Sequence, residues 1–212
     1  VLSEFPKDDQ RMLFLYDALR HLQEEIKKIW WQLYVYFGIP EQIIPVLVQQ
    51  YHVQAIFFNR SYGPRSHTRD KEIALRSTKN DIMLHVYDDF LLVAPELLEV
   101  KKVFTPYYKH WQKYLQEHLP VSFSIPKPIK TPSLESVIHI PLYTIPDTSP
   151  HPHRNVRMGK QRLEQFNYAN YVNTRNIPSQ DGSSKLSPYT RFGLVSIRQI
   201  FFATGWNFPS GE

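Results

Sequence analysis

Eight prolines fall between residues 120 and 152: Pro120, Pro126, Pro128, Pro132, Pro141, Pro146, Pro150 and Pro152. Proline fixes φ and removes a backbone donor, so such a stretch forms neither a helix nor a central strand. It reads as a long connector, residues 119–157. The chain therefore divides into a first part, residues 1–118, and a last part, residues 158–212.

The first part alternates in period. Asp8 or Asp9 is placed to cap a helix whose apolar positions are Met12, Leu15, Leu19, Leu22 and Ile26. Leu33, Val35 and Phe37 alternate with Gln32, Tyr34 and Tyr36 and predict a strand, stopped by Gly38 and Pro40. Pro40 is suited to open a helix carrying Ile43, Ile44, Leu47, Val48 and Tyr51. Ala55–Phe58 is a short apolar run, as in a strand buried on both faces. A helix is predicted over 69–78, a strand over 82–87, and a helix over 106–118 with Pro106 at its start. The order α-β-α-β-α-β with short connectors predicts an α/β fold, a parallel sheet with flanking helices.

Composition and motifs narrow the chemistry. With 42% hydrophobic and 21% charged residues the chain is not disordered as a whole. No apolar run approaches the length of a membrane span, and residues 1–11 carry no signal-peptide pattern. Cys is absent, which excludes disulfides, Cys-based zinc sites and a thiol nucleophile, and fits a reducing compartment. The net charge of +5 permits an anionic partner without requiring one. G-x-G-x-x-G, G-x-x-x-x-G-K-[ST], H-E-x-x-H and G-x-S-x-G are all missing, which disfavours common nucleotide-dependent enzymes, zincins and serine hydrolases.

In the last part a helix is predicted from Gly159 to Arg175. Then comes Gly182–Gly193, G-S-S-K-L-S-P-Y-T-R-F-G. Ser187 before Pro188 reads as an N-cap followed by proline at the first helical position. Ser183, Ser184, Lys185 and Ser187 thus gather hydroxyls, N–H groups and a cation at one helix start, which suits a phosphate. The alternative is that they are ordinary cap and turn serines.

Asn173 to Gln199 resembles the photolyase/cryptochrome family, whose pattern is R-[DN]-x-P and then G-T-S-[RK]-L-S-P-Y-L-x-F-G-x-[IL]-S-x-R. Arg11–Leu22, F-F-N-R-S-Y at 57–62 with Arg69-Asp70, and V-F-T-P-Y-Y-K-x-W at 103–111 resemble further family motifs. Family members open with a strand and an F-R-x-D-L-R-L-x-D motif, neither of which is seen here. They also run to about twice this length. The resemblance therefore implies a Rossmann-like sheet lacking its first strand, followed by the start of an all-α FAD-binding domain. The spacing from Phe166 to Tyr171 is a few residues shorter than usual.

The resemblance further implies light-driven repair of cyclobutane pyrimidine dimers, with the lesion flipped out of the duplex into the flavin cavity. Damaged DNA would be the partner, no membrane is implied, and the protein would be a monomer. The implied compartment is cytoplasmic, or nuclear in a eukaryote. A cryptochrome photoreceptor shares every motif quoted, and a scaffold without flavin is a third reading. Carried over by position, Ser183, Ser184, Lys185, Leu186 and Ser187 would line the FAD pyrophosphate, and Tyr171 would donate its hydroxyl to a phosphate. Lys185 stands where the family more often has Arg, and Ser183 where it has Thr. The isolated chain is expected to hold FAD weakly, with most of the pocket lacking. An antenna chromophore, folate or deazaflavin, would meet Asn59, Tyr62 and Arg65 on the loop after a strand, although Arg65-Ser66 departs from the Asn-Glu of folate-binding members.

Other candidates read as structural. Asp88-Asp89 is expected to end a strand and cap the next element rather than serve acid–base chemistry. Arg175 and Asp181 are expected to form turn bonds. His151 and His153 lack a third metal ligand. Trp30, Trp31, Trp111 and Trp206 are assigned to packing, and Lys101, Lys102, Lys109 and Lys113 to a solvated face.

Overall fold

The structure is a computed structural model that describes residues 6, 8–29, 31–121, 144–146 and 156–205. The proline-rich connector, His151, His153, Trp30 and Trp206 lie almost wholly or wholly outside the described residues. Two compact units are formed. One gathers residues 1–22, 92–126 and 146–212, and the other residues 23–91 and 127–145. No described helix is long and apolar enough to cross a membrane.

Helix α1 runs from Gln10 to Lys28. Asp9 caps it: the carboxylate accepts the Arg11 N–H at 2.9 Å and the Arg11 Nη2 at 2.7 Å. That side-chain bond from Arg11, opposed in part by burial, holds the Asp9 carboxyl at about 2, below its ordinary value. A depressed carboxylate pKa means the cap stabilises above the unfolded pKa, about 4. Its contribution is then lost as pH falls from about 4 through about 2. A carboxyl ¹³C titration of Asp9 is expected to show its midpoint near 2; a midpoint near 4 would mean that the carboxylate is not bound at the helix start. The expected apolar face of α1 is displaced. Met12, Phe14 and Ala18 are the buried positions, while Leu22 is exposed. Phe14 takes this place because its ring meets Tyr189 edge-on at 5.6 Å and Phe192 at 5.3 Å.

The first unit has two apolar centres. Phe14, Leu163, Leu186, Tyr189 and Val195 form one. Val93, Leu98, Leu115 and Phe201 form the other, with Trp111 packed against it. Helix α4, Phe104–Glu117, carries Leu115 into that second centre at 0% exposure. It begins two residues before Pro106, because proline is tolerated anywhere in a first turn where no N–H is required.

The second unit is built on two strands, β1 (Ala55–Asn59) and β2 (Met83–Tyr87), paired in parallel with Ala55 opposite Met83 and Asn59 opposite Tyr87. The expected α/β character is present as this small parallel sheet with helices. Helix α2, Pro40–Tyr51, does open on Pro40, and so Pro45 lies inside it and leaves one helical carbonyl without its N–H. Helix α3, Pro64–Lys79, starts five residues before the expected position, again on a proline. Ile44, Pro45 and Val48 of α2, Ile56 of β1, and Ile73 and Ser77 of α3 line one small apolar cavity. The strand predicted over 32–37 does not form. Only Tyr36 makes a bridge, since alternation alone does not supply the neighbouring ladder that a strand needs.

Candidate functional site

The last part departs from one continuous helix. Helix α5 covers Met158–Gln165 and stops where Phe166 turns extended, at φ −70° and ψ 127°. Asn167 then caps a 3₁₀ turn by accepting the Asn170 N–H at 3.2 Å, and helix α6 spans only Tyr171–Thr174. Asn and Asp compete with helical bonding in this way wherever their side chains reach a nearby N–H.

Tyr171 is 39% exposed. Its ring meets Phe166 edge-on at 6.0 Å, and the Arg175 guanidinium lies 5.5 Å from the ring centre. Arg175 is thus engaged with the tyrosine ring, where a bond in the turn was expected of it.

Gly182 ties this segment to the serine loop. A Cβ on Gly182 would lie 2.5 Å from the Thr174 carbonyl carbon, and closer still to its oxygen. Only glycine allows that approach. The Thr174 hydroxyl also donates to the Gly182 carbonyl at 3.4 Å. The structure therefore brings α6, which begins at Tyr171, against the residue that immediately precedes Ser183.

In the loop, Ser183 and Ser187 are exposed and Ser184 is half-buried. Leu186 is buried, its side chain in the Phe14–Tyr189 centre. Lys185 is left-handed at φ 51°, and Leu186 right-handed at φ −82°, ψ −10°. Alternating handedness of this kind turns successive N–H groups toward one concavity, a nest for anions. Ser183, Ser184 and Ser187 adjoin it in the chain, so the loop carries hydroxyl and N–H donors, the kinds of group that bind an anion.

One expectation is corrected here. Ser187 is not the N-cap of its helix: α7 runs Ser187–Arg191, and Leu186 occupies the cap position without a side-chain cap bond. Leu186 is already helical and its carbonyl accepts the Thr190 N–H at 2.9 Å, so the helix begins one residue early. With five residues, α7 adds little dipole, and the loop backbone is the stronger feature. The Lys185 ammonium is engaged within the turn. It pairs with the Asp181 carboxylate at 2.7 Å. Its hydrogen bond is the largest cause holding the Asp181 carboxyl below the ordinary range, and Arg162 adds to it through space.

The antenna candidates lie in the second unit, at the C-terminal end of the parallel strands, where α/β proteins bind ligands. Asn59 ends β1 and is exposed, and Arg65 is the second residue of α3 and exposed. Tyr62 donates its hydroxyl to Asp88 at 2.7 Å, and Arg60 Nε lies 3.4 Å from the same carboxylate oxygen. Asp88 follows β2 directly and serves as the anchor of the loop after β1. The pairing spans 26 residues, so no local pattern announces it. Among the described residues no group of three His, Asp or Glu side chains is arranged for a metal. Trp111 packs in the core as expected, and Lys101 pairs with Glu99.

Comparison with known proteins adds a family. A family model described as DNA photolyase matches residues 3–127. A deoxyribodipyrimidine photo-lyase of Synechococcus sp. is 25% identical over 231 residues, covering 96% of this chain and 46% of that protein. Cryptochrome DASH of Synechocystis sp. is 25% identical over 209 residues, covering 90% of this chain and 43% of that protein. Among solved structures, an archaeal photolyase from Sulfolobus tokodaii, described with two FAD molecules, superimposes with a TM-score of 0.67 at 23% identity. That match covers 93% of this chain and 44% of the other. The chain spans about half the length of the photolyase and cryptochrome relatives named here.

Proposed function

Since residues 3–127 of the 212 match the family model, the chain belongs to the DNA photolyase family, and we propose that it serves a flavin-dependent photolyase that repairs pyrimidine dimers in DNA. On this reading residues 1–118 are the α/β antenna domain, 119–157 the connector and 158–212 the opening of the helical flavin domain. The observation that carries it is the loop 182–187, where serine hydroxyls and an anion nest stand against the segment that starts with Tyr171.

When bound, reduced FAD supplies the light-driven electron that splits the dimer. This chain's own residues bind and orient. Ser183, Ser184 and Ser187 donate hydroxyls to the diphosphate, while Lys185 and Leu186 donate backbone N–H groups. Tyr171 adds a phenolic donor, braced by Phe166 and Arg175. Asn59, Tyr62 and Arg65 would face an antenna chromophore, with Tyr62 fixed through Asp88. Ser184→Ala together with Ser187→Ala is expected to lower FAD retention in the natural full protein about tenfold or more, from two lost bonds to a charged group. Flavin content equal to wild type, measured by absorbance after gel filtration, would remove both serines from the site.

The similarity to cryptochrome DASH of Synechocystis sp. favours a second reading, a photoreceptor. An absorption spectrum of the purified full-length gene product, followed by its illumination with a dimer-containing oligonucleotide, separates the two. Flavin bands with loss of dimers establish repair. Flavin bands with intact dimers favour the photoreceptor, and the absence of flavin bands refutes both.

A further inference from the structure

Helix α5 is fixed against the serine loop. A Cβ on Gly159 would meet the Tyr189 ring at 2.6 Å, and Leu163 shares its core with Leu186 and Tyr189. Arg162 stands between these two contacts on the same helix. Its Nε is buried and, among the described residues, has no hydrogen-bond partner. An unpaired buried donor on a charged group is costly, and it calls for a partner. The nearby carboxylate of Asp181 is already engaged by Lys185 at 2.7 Å. So the loop places one ammonium on a carboxylate, while α5, packed against Leu186 and Tyr189, carries a guanidinium whose buried Nε–H has no partner among the described residues and whose charge is felt at Asp181.

We propose that Arg162 is the diphosphate-binding cation of this chain, donating from its guanidinium to the phosphates held by residues 183–187. The proposal rests on the diphosphate reading of that loop. It assigns the two cations different tasks. Lys185, replacing the Arg more frequent in the family pattern, braces the loop through Asp181. Arg162 supplies the planar fork that matches phosphate oxygens, which an ammonium cannot. Its position outside the Gly182–Gly193 motif is why pattern matching passes over it.

The test is a titration of the ¹⁵N-labelled 212-residue chain with inorganic pyrophosphate, against sodium chloride at equal ionic strength. The Arg162 Nε–H resonance and the backbone amides of Lys185, Leu186 and Ser187 are followed together. Both sets are expected to move saturably with pyrophosphate and not with chloride. Arg162→Gln is expected to weaken pyrophosphate roughly tenfold to a hundredfold, and Arg162→Lys to recover part of the loss. If the loop amides move while the Arg162 resonance stays still, the proposal fails and the diphosphate loop stands. If neither moves, both fail. If Arg162→Gln folds less stably but binds pyrophosphate as wild type does, Arg162 is a packing residue and the proposal is overturned.

Discussion

Leu115→Ala is expected to destabilise the first unit by about 2–5 kcal/mol, a large part of the roughly 5–15 kcal/mol that holds a domain together. Leu115 is wholly buried on α4, among Val93, Leu98 and Phe201. Truncation removes its transfer free energy and leaves a cavity that the aromatic neighbours Tyr107, Trp111 and Tyr114 are too rigid to fill. Hydrogen exchange of the α4 amides reports the change locally, which matters where two units need not unfold together. Leu115→Met, which conserves volume, is expected to cost less than about 1.5 kcal/mol. A loss under about 1 kcal/mol for the alanine variant would mean that this centre is looser than described.

Gly182→Ala is expected to have the largest effect on the candidate site. The added methyl would overlap the Thr174 carbonyl, a backbone group with no rotamer through which to move away. Either α6 or the serine loop must shift, at a cost of about 1–3 kcal/mol. Tyr171 and Ser183–Ser187 then no longer share a frame. FAD retention in the natural full protein is expected to fall at least about tenfold, as for any binding set displaced by about an ångström. Gly63→Ala is the control: its Cβ would lie 3.9 Å from the Ser66 hydroxyl, in ordinary contact. Stability within about 0.5 kcal/mol of wild type is expected there. Equal flavin retention in the Gly182 and Gly63 variants would show that the glycine contact does not position the site.

These two residues mark where sequence pattern ends and packing begins. Strands β1 and β2 were legible because short β-rich apolar runs between turn residues have few other uses. The stretch 32–37 alternates like a half-buried strand, but strand formation depends on a partner, and only Tyr36 finds one. The early starts of α3 and α4 follow from prolines that a first turn accepts without loss. The break at Phe166 has no glycine or proline to announce it; it follows from the Asn167 side chain taking an N–H within the chain. In the site, the serines were visible as donors. Asp181 was expected to bond within the turn, and it pairs there with Lys185; the left-handed Lys185 and the orphaned Arg162 Nε were not visible, because each depends on the path of the backbone or on a second segment.

The β1–β2 ladder also bears on how the protein behaves at the bench. Phe57, His85, Met83 and Tyr87 point to one face, Phe57 stacks on His85 at 4.5 Å, and Phe57, Met83 and Tyr87 are each more than half exposed. Sulfate and phosphate are excluded from protein surfaces and favour the burial of such apolar area. Leaving this face in water is therefore expected to cost more in sulfate or phosphate than in chloride at modest ionic strength.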